Sequence, residues 1–255
     1  MTARNFLVRG LLAGLVAGIF AFLIAYTVGE PPIGTAIALE ESASAPAETT
    51  TEHTHDEGTA AHSHSHEEGG GITRSTQKTW GLATATITVG VALGGIVSLI
   101  AAAVAGRLGR LPLVGSTALV VALGFLAYAL VPFLKYPAAP PAVGSGDTIG
   151  SRTAYFFIFS AISVAAMVAI VATARRLAPR IGGYRAVVGA GVAYVVIIAV
   201  AALVMPKVDE IGDFPAATLW QFRVSSLLTL ATLWGTLGVA LTWLLQRLQV
   251  RTLAT

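Results

Sequence analysis

The chain carries thirteen acidic residues and five histidines, and every one falls in one of three hydrophilic segments, 29–79, 135–153 and 206–223. Between these segments run long apolar stretches with no Asp, Glu, Lys, Arg or His. If each apolar stretch crosses a bilayer, the three segments emerge on the same side. The ends and loops of the opposite side then hold Arg4, Arg9, Arg107, Arg110, Arg175, Arg176, Arg180, Arg185, Arg247 and Arg251, with no acid among them. Folding in water gives a chain no reason to sort its charges this way. Repeated membrane crossing does.

The apolar stretches run over about 10–28, 80–105, 113–134, 154–174, 186–205 and 224–245. Each is close to the ~20 residues that a helix needs to cross the hydrocarbon core. In lipid only helices and closed barrels satisfy the backbone, and these stretches lack the period-two alternation of barrel strands. The sequence therefore predicts an all-α integral membrane protein, a bundle of six transmembrane helices in contact with lipid. Composition agrees, with 11% charged residues against roughly 25% in soluble domains. The net charge of +3 is small and the basic residues sit at segment ends, so no nucleic-acid partner is expected. The absence of cysteine excludes disulfides, thiolate metal sites and iron–sulfur clusters. Arg4 and Arg9 precede the apolar run 10–28, which is longer than the ~7–15 residues of a signal-peptide core. We read it as a retained first span; cleavage near Ser44-Ala45 is the alternative.

Orientation follows from the basic bias. The ten arginines named above face Arg74, Lys78, Lys135, Arg152, Lys207 and Arg223 on the acidic side. This places both termini in the cytoplasm and the acidic segments outside a cell (inner, cytoplasmic) membrane. The organisation is then a start and first span at 1–28, an acidic His-rich outer loop at 29–79, and five further spans in 80–255 with a Pro-rich outer loop at 135–153. The middle of the first loop is poor in large apolar residues and is expected to be mostly disordered. Gly10, Gly14 and Gly18 in the first span, and Gly90 and Gly94 in the second, recur every four residues. Small residues at this spacing line one helix face and let a second backbone approach closely.

The sharpest chemical signal is His53, His55, His62, His64 and His66, flanked by Asp56, Glu57, Glu67 and Glu68. In extended chain, alternate side chains point the same way, so imidazoles at this spacing converge on one ion. Neutral imidazole suits cobalt, nickel, copper and zinc, and copper, nickel and zinc bind such a site at least as well as cobalt. The spans themselves carry no ionisable residue that could act as a default intramembrane site. A cation crossing them would rely on backbone carbonyls, on hydroxyls such as Thr84, Thr88, Ser160 and Ser163, or on acids at the span ends. Glu30 lies just past the first span, near a helix C-terminus where the dipole disfavours an anion. Asp147 and Arg152 flank the Pro-rich loop, and Arg223 opens the last span. Glu30, Asp147 and Arg152 are expected to meet at the outer mouth, with Glu30 and Asp147 as metal ligands and Arg152 and Arg223 in structural or gating roles. No catalytic set, nucleophile elbow, phosphate loop or dinucleotide fingerprint is present, so no enzyme activity is expected.

Several segments together resemble the CbtA family of predicted cobalt-transporter subunits. They are Gly29-Glu30-Pro31 with Ala36–Glu41, the His-rich stretch, Thr73–Gln77, Val131–Pro137 with Pro140–Gly144, Asp147–Ile149 with Arg152-Thr153, and Leu219–Arg223. The resemblance implies cobalt uptake tied to cobalamin supply, often with a small one-span His-rich partner subunit. Cobalt as the transported ion comes from the resemblance alone; Ni2+ and Zn2+ satisfy the same ligands, and no firmly bound cofactor is expected. Accounts of the family describe five spans, whereas six are counted here. Two functional readings follow: a metal-permeating uptake subunit, or a non-transporting capture or sensor subunit that hands metal to a partner permease.

A peptide covering residues 50–70 should bind Co2+, Ni2+ and Zn2+ in roughly the micromolar range. Imidazole titrates near pH ~6.5 and ligates only when neutral, so binding should weaken sharply as pH falls from about 7.5 to about 5.5. Calorimetry showing no heat, or a pH-independent affinity, would remove the capture role.

Overall fold

A computed structural model describes residues 2–44, 73–109 and 111–253. The histidines His53, His55, His62, His64 and His66, and the acids from Glu48 to Glu68, lie outside the described residues. Six helices are long and apolar enough to cross a membrane: α1 (Ala3–Ala43), α2 (Arg74–Val104), α3 (Leu113–Lys135), α4 (Gly146–Ile181), α5 (Gly183–Val204) and α6 (Ala216–Val250). No strand occurs among the described residues. The count of six, rather than the five usual in descriptions of the resembling family, therefore stands.

The closest helix pair is α1 with α2, antiparallel, glycine face on glycine face. A methyl on Gly90 would lie 2.5 Å from Gly14 O, and one on Gly18 would lie 2.6 Å from Ile87 Cα. Gly10 and Gly94 close on each other's carbonyls in the same way. With no hydrophobic drive between helices in lipid, this backbone approach supplies the dispersion contact that holds the pair. The adjoining face of α1 places Ala13, Ala17 and Ala21 in one buried cluster with Leu237, Leu241 and Leu245 of α6. Arg9 Nε donates to Leu244 O at 3.3 Å, so α1 and α6 are also antiparallel.

Helix α3 belongs to two clusters. Val121 and Ala129 join the α1–α2–α6 core, where Gly124 abuts the Trp234 ring. Ala127 joins a second cluster with Met167 of α4 and Tyr194 of α5. Helix α5 itself buries Ala186 and Tyr194 alone.

The helix ends differ from those expected of the apolar stretches. The first helix does not stop at Val28. It passes through a π segment, Ala25–Gly29, and continues as α-helix over Glu30–Ser44 despite Pro31 and Pro32. A helical proline clashes with the carbonyl four residues back and removes one N–H. The wider π turn relieves that clash, with Glu30 N–H reaching back to Ala25 O. The same device precedes Pro132 in α3, where the π segment Phe125–Leu130 ends with Val131 N–H on Leu126 O. Helices α2, α4 and α6 likewise begin earlier than about 80, 154 and 224, at Arg74, Gly146 and Ala216.

In α3 the π register would assign Ala127 O to the N–H of residue 132, which proline lacks. Ser163 Oγ of α4 donates to Ala127 O at 2.7 Å instead. Its proton being used there, Tyr194 OH of α5 donates to Ser163 Oγ, also at 2.7 Å.

Gly90→Val should destabilise the bundle by about 1–3 kcal/mol or more, because the added atoms meet rigid backbone. Gly34→Ala, which has open space around it, should be neutral or slightly stabilising. Unfolding midpoints of the two variants in detergent micelles check this; similar midpoints would contradict the glycine-to-glycine contact.

Candidate functional site

The antiparallel pairings bring Glu30, Arg74, Tyr136, Asp147, Arg152, Glu210 and Arg223 to one end of the bundle, the acidic face. Two ion pairs organise it. Glu30 accepts from Arg74 Nη2 at 2.6 Å, tying α1 to the start of α2. Thr73 caps that start, accepting from Thr76 N–H at 3.3 Å. The chain returning from residue 72 is thereby fixed at its re-entry point. Because α1 continues beyond Gly29, Glu30 sits inside a helix and not at its C-terminus. The dipole penalty expected there does not arise.

The second pair joins the other two acidic-face loops. Arg152 Nε lies 3.5 Å from Glu210 Oε2, with both side chains partly exposed. Arg152 also donates from Nη1 to Val143 O at 3.4 Å and from Nη2 to Ser145 O at 3.2 Å. Glu210 Oε2 in turn accepts from Ser145 N–H at 3.3 Å and from Thr148 Oγ1 at 2.8 Å. The loop can fold over the guanidinium because Gly144 has φ +89 and no side chain. A methyl there would lie 2.7 Å from both Arg152 Cζ and Glu210 Oε2. A partly exposed pair of this kind contributes about 0.2–1 kcal/mol. Its value lies in positioning the loops. Alongside, Tyr136 OH donates to Pro206 O at 2.8 Å, and burial pushes the Tyr136 phenol up, with Tyr155 adding to the effect. The phenol is therefore a neutral donor throughout the physiological range.

Of the charged candidates singled out from the sequence, Glu30, Asp147, Arg152 and Arg223 are described, and they do not form one cluster through Arg152. The acid partner of Arg152 is Glu210, and the basic partner of Glu30 is Arg74. Asp147 lies exposed in a 3-10 turn, its N–H donating to Ser145 Oγ at 3.3 Å. Its carboxylate takes no partner among the described residues. Arg223 has a buried Nε without a hydrogen-bond partner among the described residues. Arg74 and Glu210 are the participants that the sequence reading missed. A second span starting at about 80 puts Arg74 in the preceding loop, whereas the helix begins at Arg74 itself. Among the described residues no group of three or more His, Cys, Asp or Glu could hold a metal ion.

A six-helix bundle with acids sorted to one face, and no ionisable side chain in the middle of its spans, defines a polytopic membrane protein. The chain belongs to the CbtA family, described as probable cobalt transporter subunits, whose family model matches residues 3–246. No curated protein and no solved structure matches the chain.

Arg152→Ala should speed amide exchange at Ser145 by up to about fivefold, since a loss of about 1 kcal/mol of local stability translates to that factor. Arg74→Ala should leave Ser145 unchanged. Equal exchange rates at Ser145 in all three proteins would show that the Arg152–Glu210 pair does not hold the loop.

Proposed function

We propose that the chain is the membrane-embedded subunit of a cobalt uptake system in the cytoplasmic membrane. In this reading both termini lie in the cytoplasm, the acidic face lies outside, and the segment His53–His66 captures the cation. The observation that carries it is the charge sorting: every acid and every histidine belongs to the segments of one face, and the opposite face has arginines alone. A face that receives divalent cations benefits from negative potential and imidazole; a face that releases them benefits from neither. Family membership supports cobalt as the cargo. The word subunit in the family description supports a partner protein, and a small one-span His-rich chain is the candidate.

Glu30 and Asp147 serve in this reading as oxygen ligands between the His segment and the bundle. Asp147 is exposed and has no protein partner among the described residues, so its carboxylate is available to a passing ion. Glu30 is shared with Arg74, so a cation must compete with the guanidinium for it. The chain has no ATP-binding motif, so the driving force comes from a gradient or from another subunit. The capture-and-hand-over reading is favoured by one observation, the lack of ionisable residues within the spans. Uptake by purified protein in liposomes, with and without the partner, separates the two.

Replacing all five histidines by Ala should reduce Co2+ uptake at scarce metal far more than at abundant metal, because a tethered ligand raises the local concentration without forming the path. A variant equally inactive at all concentrations would place the histidines in the path itself. A reporter fused after Thr255 should read as cytoplasmic; a periplasmic signal would reverse the assignment of faces.

A further inference from the structure

Several arginines opposite the acidic face are held by the protein itself. Arg9 donates to Leu244 O and Asn5 O, and Arg107 donates to Ala103 O. Arg247 Cζ lies 3.9 Å from the centre of the Trp243 ring. Arg175, Arg176, Arg180 and Arg185 differ. All four are exposed, and none has a hydrogen-bond or ion-pair partner among the described residues. They flank the tight turn between α4 and α5, which Gly182 makes at φ +85. Helix α4 runs past the end of its apolar stretch at 174 and continues to Ile181. Arg176 and Arg180 lie one turn apart on it, and like charges at that spacing repel. The helix dipole favours a cation only in the last turn, where Arg180 stands. It disfavours Arg185, which lies in the first turn of α5. No acid belongs to the segments of this face to answer the charge.

The immediate surroundings of the four are apolar. Leu177 and Ile181, also one turn apart, are exposed and adjoin the Arg176–Arg180 stripe, since successive helical residues are about 100° apart. Tyr184 is 82% exposed. Only 6% of the apolar stretch of α5 is buried, against 28% or more in the other five helices, so lipid rather than protein surrounds this corner of the bundle. Arginines and an exposed tyrosine between two apolar spans belong at the level of the headgroups.

We infer that the α4–α5 turn binds the headgroup of an anionic phospholipid, with Arg176 and Arg180 on its phosphate and Arg175 and Arg185 beside them. Guanidinium matches phosphate in charge and in fork geometry. A zwitterionic lipid brings its own cation, which four unpaired arginines repel; an anionic lipid leaves them a net negative charge. A dissolved phosphate would satisfy the arginines but leave Leu177 and Ile181 uncovered, whereas a lipid covers both with its chains. The bound lipid also holds the first turn of α5, a helix that otherwise buries only Ala186 and Tyr194.

Native mass spectrometry of the full chain in detergent, titrated with phosphatidylglycerol or phosphatidylcholine, tests this surface. One arginine at the headgroup level is worth about fivefold in affinity for anionic lipid. The unchanged protein should prefer phosphatidylglycerol, and Arg176→Gln with Arg180→Gln should cut that preference by about tenfold or more. Arg107→Gln with Arg247→Gln removes the same charge from the same face, at side chains already engaged, and should leave the preference nearly unchanged. Equal losses in the two double variants would reveal diffuse attraction and overturn the site. Equal affinity of the unchanged protein for both lipids would also overturn it, as would displacement of the lipid by added orthophosphate. In nanodiscs, phosphatidylglycerol should slow amide exchange over residues 184–188 relative to phosphatidylcholine. The Arg176 and Arg180 double variant should lose that difference while exchanging like the unchanged protein in phosphatidylcholine.

Discussion

Hydrocarbon supplies no hydrogen bonds, so a carbonyl that proline strips of its donor has to be met by another part of the protein. Much of the second half of this bundle depends on one such carbonyl. Pro132 leaves Ala127 O without an N–H, Ser163 crosses from α4 to meet it, and Tyr194 crosses from α5 to meet Ser163. A backbone defect in one helix thereby fixes the rotation of two others. The link matters most for α5, whose buried surface is little more than Tyr194 and Ala186. On the other side of α3, glycines let α1 and α2 approach until backbone touches backbone.

The number of helices and the α1–α2 contact could be read in the sequence. Each reports a local property: the length of an apolar run, or the recurrence of glycine every four residues. Helix ends were less legible. Pro31-Pro32 reads as a stop, and the π turn that carries the helix through it leaves no mark in composition. Ion-pair partners were legible least. The sequence shows which acids and bases share a face, but partner choice depends on how each helix is rotated. That is why Glu30 meets Arg74 and Arg152 meets Glu210, where Arg152 was expected to serve Glu30 and Asp147. The serines make the same point. Ser160 and Ser163 look alike along the chain, yet Ser160 bonds its own Phe156 O at 2.7 Å while Ser163 reaches across to α3.

The acidic face combines fixed and unengaged groups. Arg74 with Thr73 anchors the chain as it re-enters the bundle, and Arg152 with Glu210 fastens two loops that Gly144 allows to come together. Asp147 stands apart from both pairs. In the proposed function this face receives the cation, with the fastened loops beside it and the exposed carboxylate of Asp147 available to it.

The lack of ionisable side chains within the spans has an electrical consequence. Moving one elementary charge through 100 mV is worth about 2.3 kcal/mol. With no Asp, Glu, Lys, Arg or His in the middle of the spans to carry a proton the other way, a divalent cation crossing this bundle would move its charge uncompensated. The work done by the field would therefore act on both of its charges, about 4.6 kcal/mol per 100 mV. At about 1.4 kcal/mol per tenfold, that corresponds to an accumulation ratio of roughly three powers of ten. In the proposed orientation, a membrane potential that is negative inside would be enough to accumulate a scarce metal.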